Sequence, residues 1–247
     1  MVFAKFEGIE MGWTEEGTKG SNEVKKAVIL LSGGLDSSTV CALAAHENHE
    51  TSALSFDYGQ TLKRELMYAK KIAAHFRITE HKIFQMDLAK IGGSALTEDG
   101  INIPMDRKEE EMRDIPLSYV PARNTIFLSI ALGWAEVLGA DSIYIGVNAV
   151  DYSGYPDCRP EYIEAYQKMA DLATRRGVEG DPITIKTPLL NMKKSEIIRL
   201  GHKLGVPYQF TWSCYSDQER PCGRCDSCIL RKRAFHEAGL EDPAMGE

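Results

Sequence analysis

The sequence lacks several features that would each point to a familiar class of protein. Its longest mainly apolar stretch, residues 126–135, is too short to cross a bilayer, and residues 1–26 carry charges without the apolar core of a secretory signal. Cations are also scarce, because 29 Lys and Arg face 36 Asp and Glu for a formal net charge of −7. This balance does not suit broad electrostatic binding of nucleic acid. We therefore expect a cytoplasmic protein with a small anionic ligand and with neither nucleic acid nor a membrane as partner.

Common catalytic motifs are missing as well. The chain contains no Gly-x-Gly-x-x-Gly, which argues against a dinucleotide oxidoreductase, and no Gly-x-Ser-x-Gly, which argues against an α/β-hydrolase. Its six histidines are scattered among helix ends and charged runs and form no nucleophile–base pattern. The 247 residues are nevertheless enough to bury a full core, so we expect one domain with an appendage.

What the sequence does contain is a glycine-rich turn, residues 32–38, which reads Ser-Gly-Gly-Leu-Asp-Ser-Ser after a short apolar run. Adjacent glycines let successive N–H groups converge on an anion at a helix N-terminus, and the serine hydroxyls add donors. Asp36 could fix the turn or help to hold Mg²⁺. No lysine follows Gly34, so Walker-type chemistry is not expected. A simple packing turn stays open as an alternative.

Short β-rich runs alternate with longer amphipathic stretches, which is typical of helices packed on a parallel sheet. We predict strands at residues 27–32, 51–57, 80–86, 142–147 and 183–187. We predict helices at residues 37–47, 62–76, 124–138, 160–176, 194–204 and about 226–237. Residues 88–118 have no clean period and are predicted to form a mobile or insertion-like loop over the site. The expected fold class is α/β with a parallel, doubly wound sheet whose carboxyl edge carries the ligand site.

Four of the six cysteines form a four-cysteine cluster with the spacing C-x7-C-x2-C-x2-C: Cys214, Cys222, Cys225 and Cys228. Four thiolates at this spacing can complete a closed tetrahedral zinc shell, so we predict structural Zn²⁺. An iron–sulfur cluster and disulfides are the alternatives. Of the remaining two, Cys41 is expected in the core, and Cys158 lies in a polar loop where it could be reactive.

That polar loop, residues 146–160, is dense in turn formers and functional side chains. A loop of this kind usually meets a ligand. Asp151 and Asp157 could accept hydrogen bonds from a purine-like N–H edge. Tyr155 could stack on a flat heterocycle, and Arg159 could hold a carboxylate with its planar fork. A well-capped surface loop is the competing interpretation.

Other candidates lie where further elements meet the same edge of the sheet. Asp57 and Gln60 follow the second predicted strand and are expected beside a nucleotide. Arg123 begins a helix pattern and is a candidate contact for phosphate or carboxylate, with a surface ion pair as the equal alternative. Lys186 and Lys193 are weaker candidates for the same role.

Together these motifs resemble the 7-cyano-7-deazaguanine synthase family of ATP pyrophosphatases. The matching segments lie in order between about residues 26 and 239: residues 32–37, 56–60, 120–124 and 146–159, and the four cysteines after Thr211-Trp212-Ser213. The resemblance implies an adenine-nucleotide α-hydrolase-like domain at residues 26–205 and a zinc-binding, helical C-terminal region at residues 206–247. It does not explain residues 1–25, which we expect to be an N-terminal extension.

The resemblance also implies an ATP-dependent carbon–nitrogen ligase of queuosine-precursor biosynthesis. Such an enzyme converts 7-carboxy-7-deazaguanine and ammonia to the nitrile through the adenylated acid and amide, releasing AMP and pyrophosphate from two ATP. The implied cofactors are ATP with Mg²⁺ and one Zn²⁺, and the expected assembly is a homodimer. The predicted catalytic residues are Asp36, Ser37 and Arg123. The predicted nucleotide-binding residues are Leu31, Ser32, Gly33, Gly34, Leu35, Asp36, Ser37, Ser38, Asp57 and Gln60. The predicted substrate-binding residues are Asp151, Tyr155, Asp157 and Arg159.

Two other functions compete with this hypothesis. A tRNA-modifying or sulfur-transferring ATP pyrophosphatase would need a broad basic face and a reactive thiol outside any closed metal shell. A nucleotide-sensing or nucleic-acid-binding module would use the four-cysteine cluster for recognition, which the basic residues near Cys225 allow. That second alternative leaves the polar loop without a purpose.

Overall fold

Residues 24–112, 114–150, 154–216 and 218–245 are described by a computed structural model. Most of the predicted N-terminal extension and the predicted substrate contact Asp151 lie outside these ranges. The described strands form one five-stranded parallel sheet with the spatial order β3-β2-β1-β4-β5. Their bounds are β1 (Lys26–Leu30), β2 (Glu50–Asp57), β3 (Glu80–Gln85), β4 (Ser142–Tyr144) and β5 (Thr184–Lys186). All five predicted strands are confirmed, with β4 three residues shorter than expected at its carboxyl end.

The predicted helices are also present. The α-helices of the described residues are α1 (Leu35–His46), α2 (Arg64–His75), α3 (Arg123–Leu138), α4 (Pro160–Ala173), α5 (Arg175–Val178), α6 (Lys194–Lys203) and α7 (Asp226–Ala238). The single helix predicted at residues 160–176 is divided at Thr174, whose backbone is extended at φ −111° and ψ 150°. The Thr174 hydroxyl accepts a hydrogen bond from Gly177 N at 3.2 Å and caps α5. Within the described ranges, no helix is long and apolar enough to span a bilayer.

Helices cover both faces of the sheet, as the sequence of β1 requires. Residues 27–30 are buried throughout, because the side chains of Ala27 and Ile29 pack into one core while those of Val28 and Leu30 pack into another. The first core takes its helical residues from α1, α2, α6 and α7, and the second from α3 and α4. The predicted parallel, doubly wound α/β fold is therefore confirmed.

The middle of the predicted loop at residues 88–118 is attached to the four-cysteine cluster. Met105 forms an antiparallel β-bridge with Cys225, and Asp106 N donates to Arg224 O at 2.8 Å. The Arg224 guanidinium in turn donates through Nε to both carboxylate oxygens of Asp106, at 3.1 and 2.9 Å. Arg107 Nε donates to Asp226 Oδ1 at 3.1 Å, at the first residue of α7. These contacts join residues that are 118 to 120 positions apart in the chain.

Candidate functional site

A cavity of about 350 Å³ opens beyond the carboxyl ends of β1, β2 and β4, where the strand order of the sheet reverses. Ten of the predicted site residues line it: Leu31, Ser32, Gly34, Leu35, Asp36, Ser37, Gln60, Arg123, Tyr155 and Cys214. Asp57, Asp157 and Arg159 lie outside its lining. The cavity thus brings together the glycine-rich turn, the start of α3, the polar loop and the edge of the four-cysteine cluster.

The glycine-rich turn is enclosed by main chain on two sides. Gly33 has φ +81°, and a Cβ placed on it would lie 2.5 Å from both Ala69 N and Glu65 O of α2. On the other side, a Cβ on Gly146 would lie 3.0 Å from Ser37 N. A side chain would clash with α2 at position 33 and would be crowded at position 146. The start of α1 lies directly at the cavity and presents the free N–H groups of its first turn to it.

The serine hydroxyls hold this turn in shape. Ser37 Oγ accepts a hydrogen bond from Ser32 N at 3.2 Å and lies 3.0 Å from Ser32 Oγ. Ser38 Oγ donates to Gly34 O at 2.7 Å and is fully buried, outside the lining of the cavity. Ser32 and Ser37 therefore border the cavity, while Ser38 stabilises the turn from behind.

Asp36 forms an ion pair that the sequence did not reveal. Lys194 Nζ, at the first residue of α6, donates to Asp36 Oδ2 at 2.6 Å, and both residues line the cavity. Asp36 Oδ1 is buried and has no hydrogen-bond partner among the described residues.

The two predicted lysines lie elsewhere, since Lys193 is exposed and Lys186 Nζ donates to Tyr144 Oη at 2.7 Å. The sequence marks Lys194 only as a cation in the first turn of a helix, a position where it opposes the helix dipole.

Arg123 reaches the cavity from the first residue of α3. The residue before it, Ala122, has φ +53°, an uncommon backbone conformation for a residue other than glycine. Arg123 Nη1 donates to Tyr58 Oη at 3.4 Å. Burial acts to lower the pKa of Arg123, but the neighbouring Tyr58, Tyr155 and Glu65 outweigh it and raise that pKa. The guanidinium is therefore a permanent cation in the wall of the cavity.

Gln60 fixes the segment that follows β2. Its Oε1 accepts from Tyr58 N at 2.7 Å, and its Nε2 donates to Phe56 O and to Glu65 Oε1, each at 3.2 Å. Asp57 instead forms an ion pair with Lys63 at 2.9 Å. Gln60 is thus engaged with its own loop and with α2, although it also borders the cavity.

Glu65 is a cavity residue that the sequence analysis missed. It lies partly buried in the first turn of α2, where an acid is readily explained by the helix dipole alone. Burial raises the pKa of Glu65 to about 7, and this effect exceeds the opposing influence of Arg123 and of the hydrogen bond from Gln60. A carboxyl group of this kind changes its charge close to neutral pH.

We expect Glu65→Gln to stabilise the protein at pH 8 much more than at pH 5. The pKa of Glu65 is about 7 in the folded protein against an ordinary value of 4.5, so ionisation destabilises the wild-type fold increasingly as the pH rises between these values. Glutamine avoids this cost, and the Tm at pH 8 should rise by a few degrees, at about 2–4 °C per kcal/mol. Thermal melts at both pH values, with the exposed Glu164→Gln as control, test this. A Tm difference that is the same at both pH values would contradict it.

The described residues of the polar loop divide between two places. Tyr155 lines the cavity with its Oη 3.1 Å from Ser118 Oγ. Asp157 is buried and its Oδ2 accepts from Asn124 N at 3.0 Å, so it satisfies a free N–H group in the first turn of α3. Arg159 is exposed, and its Nε donates to Pro156 O at 3.2 Å. Ligand contacts by Asp157 and Arg159 stay predictions.

The sulfur atoms of the four-cysteine cluster all lie within 4.8 Å of one another, so the cluster could hold a metal ion. Backbone N–H groups already point at the sulfurs, since Ser216 N and Cys222 N each donate to Cys214 Sγ at 3.3 Å. Hydrogen bonds from the Cys225 and Cys228 thiols hold the pKa of Cys214 well below its usual value, and hydrogen bonds with Cys214 and Cys225 raise the pKa of Cys228. A metal ion bound here would displace thiol protons.

The chain is similar in sequence to several named enzymes. The 7-cyano-7-deazaguanine synthase of Saccharophagus degradans is 60% identical over 222 residues, covering 89% of this chain and 96% of the relative. The same enzyme of Trichodesmium erythraeum is 60% identical over 221 residues, covering 89% and 100%. Among solved structures, the NMN synthetase of Francisella tularensis is similar at 16% identity and a TM-score of 0.45, covering 88% of this chain and 79% of that one. The family model described as "Queuosine biosynthesis protein QueC" matches residues 26–239, and the chain belongs to that family.

Proposed function

We propose that this protein is an ATP-dependent carbon–nitrogen ligase that converts 7-carboxy-7-deazaguanine and ammonia to 7-cyano-7-deazaguanine. The observation that carries the proposal is the meeting of the glycine-rich turn, Arg123 and Tyr155 in one cavity, in a chain that is 60% identical to enzymes of that name. The chemical difficulty is that a carboxylate oxygen is a poor leaving group. Transfer of AMP from ATP to that oxygen removes the difficulty.

The glycine-rich turn is suited to the departure of pyrophosphate. When the substrate oxygen attacks the α-phosphorus, negative charge builds on the leaving group. The N–H groups of the first turn of α1 and the hydroxyls of Ser32 and Ser37 can stabilise that charge. Mg²⁺ bound with ATP would neutralise phosphate charge, and the buried, unpartnered Asp36 Oδ1 fits a role in holding it. Lys194 holds the other carboxylate oxygen of Asp36 in place.

Arg123 and Tyr155 supply the substrate side of the proposed site. The guanidinium of Arg123 can pair with the carboxylate of the substrate and orient it toward ATP. The ring of Tyr155 can lie against the deazaguanine heterocycle. Asp157 supports this arrangement indirectly, because it binds the backbone of Asn124, the residue after Arg123.

The cysteines outside the cluster argue against a sulfur-transferring enzyme. Burial raises the pKa of both Cys41 and Cys158 to about 12. A thiol that carries sulfur must react as the thiolate, which neither residue provides near neutral pH. The ligase is therefore the better supported of the two enzymatic functions.

We also propose that the four-cysteine cluster holds structural Zn²⁺. Four sulfurs at about 2.3 Å from a tetrahedral ion lie about 3.8 Å apart, and Cys222 Sγ and Cys228 Sγ are 4.0 Å apart. Closed shells of this kind leave no position for a substrate, so the ion would have a folding role. The homodimer, the absence of a nucleic-acid partner and the cytoplasmic location stay predictions.

Incubation of the protein with 7-carboxy-7-deazaguanine, ammonium and Mg-ATP is expected to give the nitrile together with AMP and pyrophosphate. Mass spectrometry identifies the nitrile, and two AMP should appear for each nitrile, because acid and amide are each adenylated. Omission of ammonium is the control and should stop the reaction before the amide. Formation of ADP, or AMP release that does not depend on the deazaguanine acid, would refute the proposal.

A further inference from the structure

The acidic residues that line the cavity are bonded in two different ways. Asp36 is paired with the Lys194 ammonium, and Asp226 is paired with the Arg107 guanidinium. Glu65 instead accepts its hydrogen bond from the neutral amide of Gln60, at 3.2 Å. Its carboxylate is therefore placed in the cavity with a neutral hydrogen-bond partner.

Glu65 also lies between the two halves of the proposed site. Its backbone oxygen is one of the atoms that a Cβ on Gly33 would strike at 2.5 Å, so α2 touches the glycine-rich turn at this residue. The positive charge of Arg123, at the start of α3 on the substrate side, acts to lower the pKa of this carboxylate. The nucleophile of the reaction must enter close to both the phosphate site and the carboxylate site.

Apolar side chains form part of the cavity wall. The rings of Phe56 and Phe127 stack with centroids 3.9 Å apart, and Leu66 and Leu96 also line the cavity. Among the described residues, the titratable or charged groups that interact electrostatically with Glu65 are Arg123 and Tyr58. A small cation that enters this space is attracted by the Glu65 carboxylate and repelled by the Arg123 guanidinium, and the carboxylate is the group that can accept its proton.

We infer that Glu65 binds ammonium and accepts one of its protons, which delivers ammonia to the adenylated substrate. The inference rests on the proposed function. In this step an N–H bond of ammonium breaks, its proton passes to a Glu65 carboxylate oxygen, and its electron pair stays on nitrogen. That pair then forms the bond to the activated carbon, and AMP leaves with the electrons of the broken C–O bond. The nitrogen releases its further proton to water, so charge and atoms balance.

The chemistry of the group fits this role. Ammonium is the main form of ammonia at neutral pH and has no free electron pair, so a base is needed before attack. Burial raises the pKa of Glu65 to about 7, which makes its carboxylate a better base than an exposed one while leaving it substantially ionised at pH 8. Adenylation of the acid needs no such base, because the attacking carboxylate is already ionised.

Glu65→Gln separates the two half-reactions. The first is measured as pyrophosphate exchange into ATP that depends on 7-carboxy-7-deazaguanine, and the second as amide formation from ammonium at pH 8. We expect amide formation to fall by about 10²-fold or more, the usual loss for a missing general base, and far more than exchange falls. Hydroxylamine is unprotonated at this pH, so it should restore capture of the adenylate as the hydroxamate. Glu65→Asp should recover part of the ammonium reaction, and Glu164→Gln on the exposed face of α4 is the matched control.

The possible results are distinct. Loss of exchange in Glu65→Gln would overturn the inference and place Glu65 on the nucleotide. A raised KM for the deazaguanine acid with an unchanged KM for ammonium would overturn it and make Glu65 a recognition group for the heterocycle. Equal loss with ammonium and hydroxylamine would also overturn it. If the wild type shows no pyrophosphate exchange that depends on 7-carboxy-7-deazaguanine, the proposed function itself is refuted, independently of Glu65.

Discussion

Protein carrying Cys228→Ser is expected to lose its bound metal and most of its stability. Cys228 is buried in the first turn of α7, and Ala234 and Phe235 of the same helix belong to the first of the two cores described above. Zinc binding contributes about 10–16 kcal/mol in zinc-finger peptides, which is comparable with the 5–15 kcal/mol that holds a typical protein folded, so loss of one ligand should remove much of the stability. Elemental analysis should find about one zinc per wild-type chain and none in the variant, and thermal melts should show a large fall in Tm.

Cys41→Ala provides the control for this experiment, because it removes a buried thiol outside the cluster. It should keep a full complement of metal, although loss of a packed side chain lowers its Tm somewhat. Wild-type protein with stoichiometric iron and visible absorbance would contradict the zinc assignment. A fully stable Cys228→Ser variant would contradict the folding role.

Asp36→Ala and Ser37→Ala are each expected to remove nearly all AMP formation while leaving the fold intact. Alanine at position 36 removes the ion pair with Lys194 and the buried carboxylate oxygen that we propose holds Mg²⁺. Alanine at position 37 removes a hydroxyl that borders the cavity and accepts from Ser32 N. Loss of one such transition-state contact typically lowers kcat by about 10²–10³-fold.

AMP release measured with the deazaguanine acid and ammonium tests this expectation, and circular dichroism establishes whether the variants are folded. Ser129→Ala makes the same chemical change as Ser37→Ala on an exposed part of α3 and should not affect AMP formation. If both site variants turn over near the wild-type rate, the glycine-rich turn has only a packing role.

The turn itself was predictable from sequence because its determinants are local. An apolar run that is buried on both faces, two glycines and a following helix specify a strand, a turn and an N-terminus without reference to the rest of the chain. The four-cysteine cluster was predictable for the same reason, since three of its members lie within seven residues.

Contacts between distant segments were not predictable in this way. Lys194 meets Asp36 across 158 positions, and its neighbours Lys186 and Lys193 look equivalent in sequence. Asp157 is equally ambiguous, because only the fold brings it to Asn124 N and away from the lining of the cavity. Glu65 was missed because a helix start explains an acid there, and only tertiary burial distinguishes it from an ordinary one.

The close backbone contacts at Gly33 and Gly146 bear on the thermodynamics of nucleotide binding. A turn held between α2 and the end of β4 has already lost its conformational freedom in the free protein. Binding then carries little further entropy loss for ordering this loop, so less of the interaction energy of its N–H groups is offset when the nucleotide binds. The same rigidity limits adaptation, because even one added carbon at position 33 would require α2 to move away from the turn.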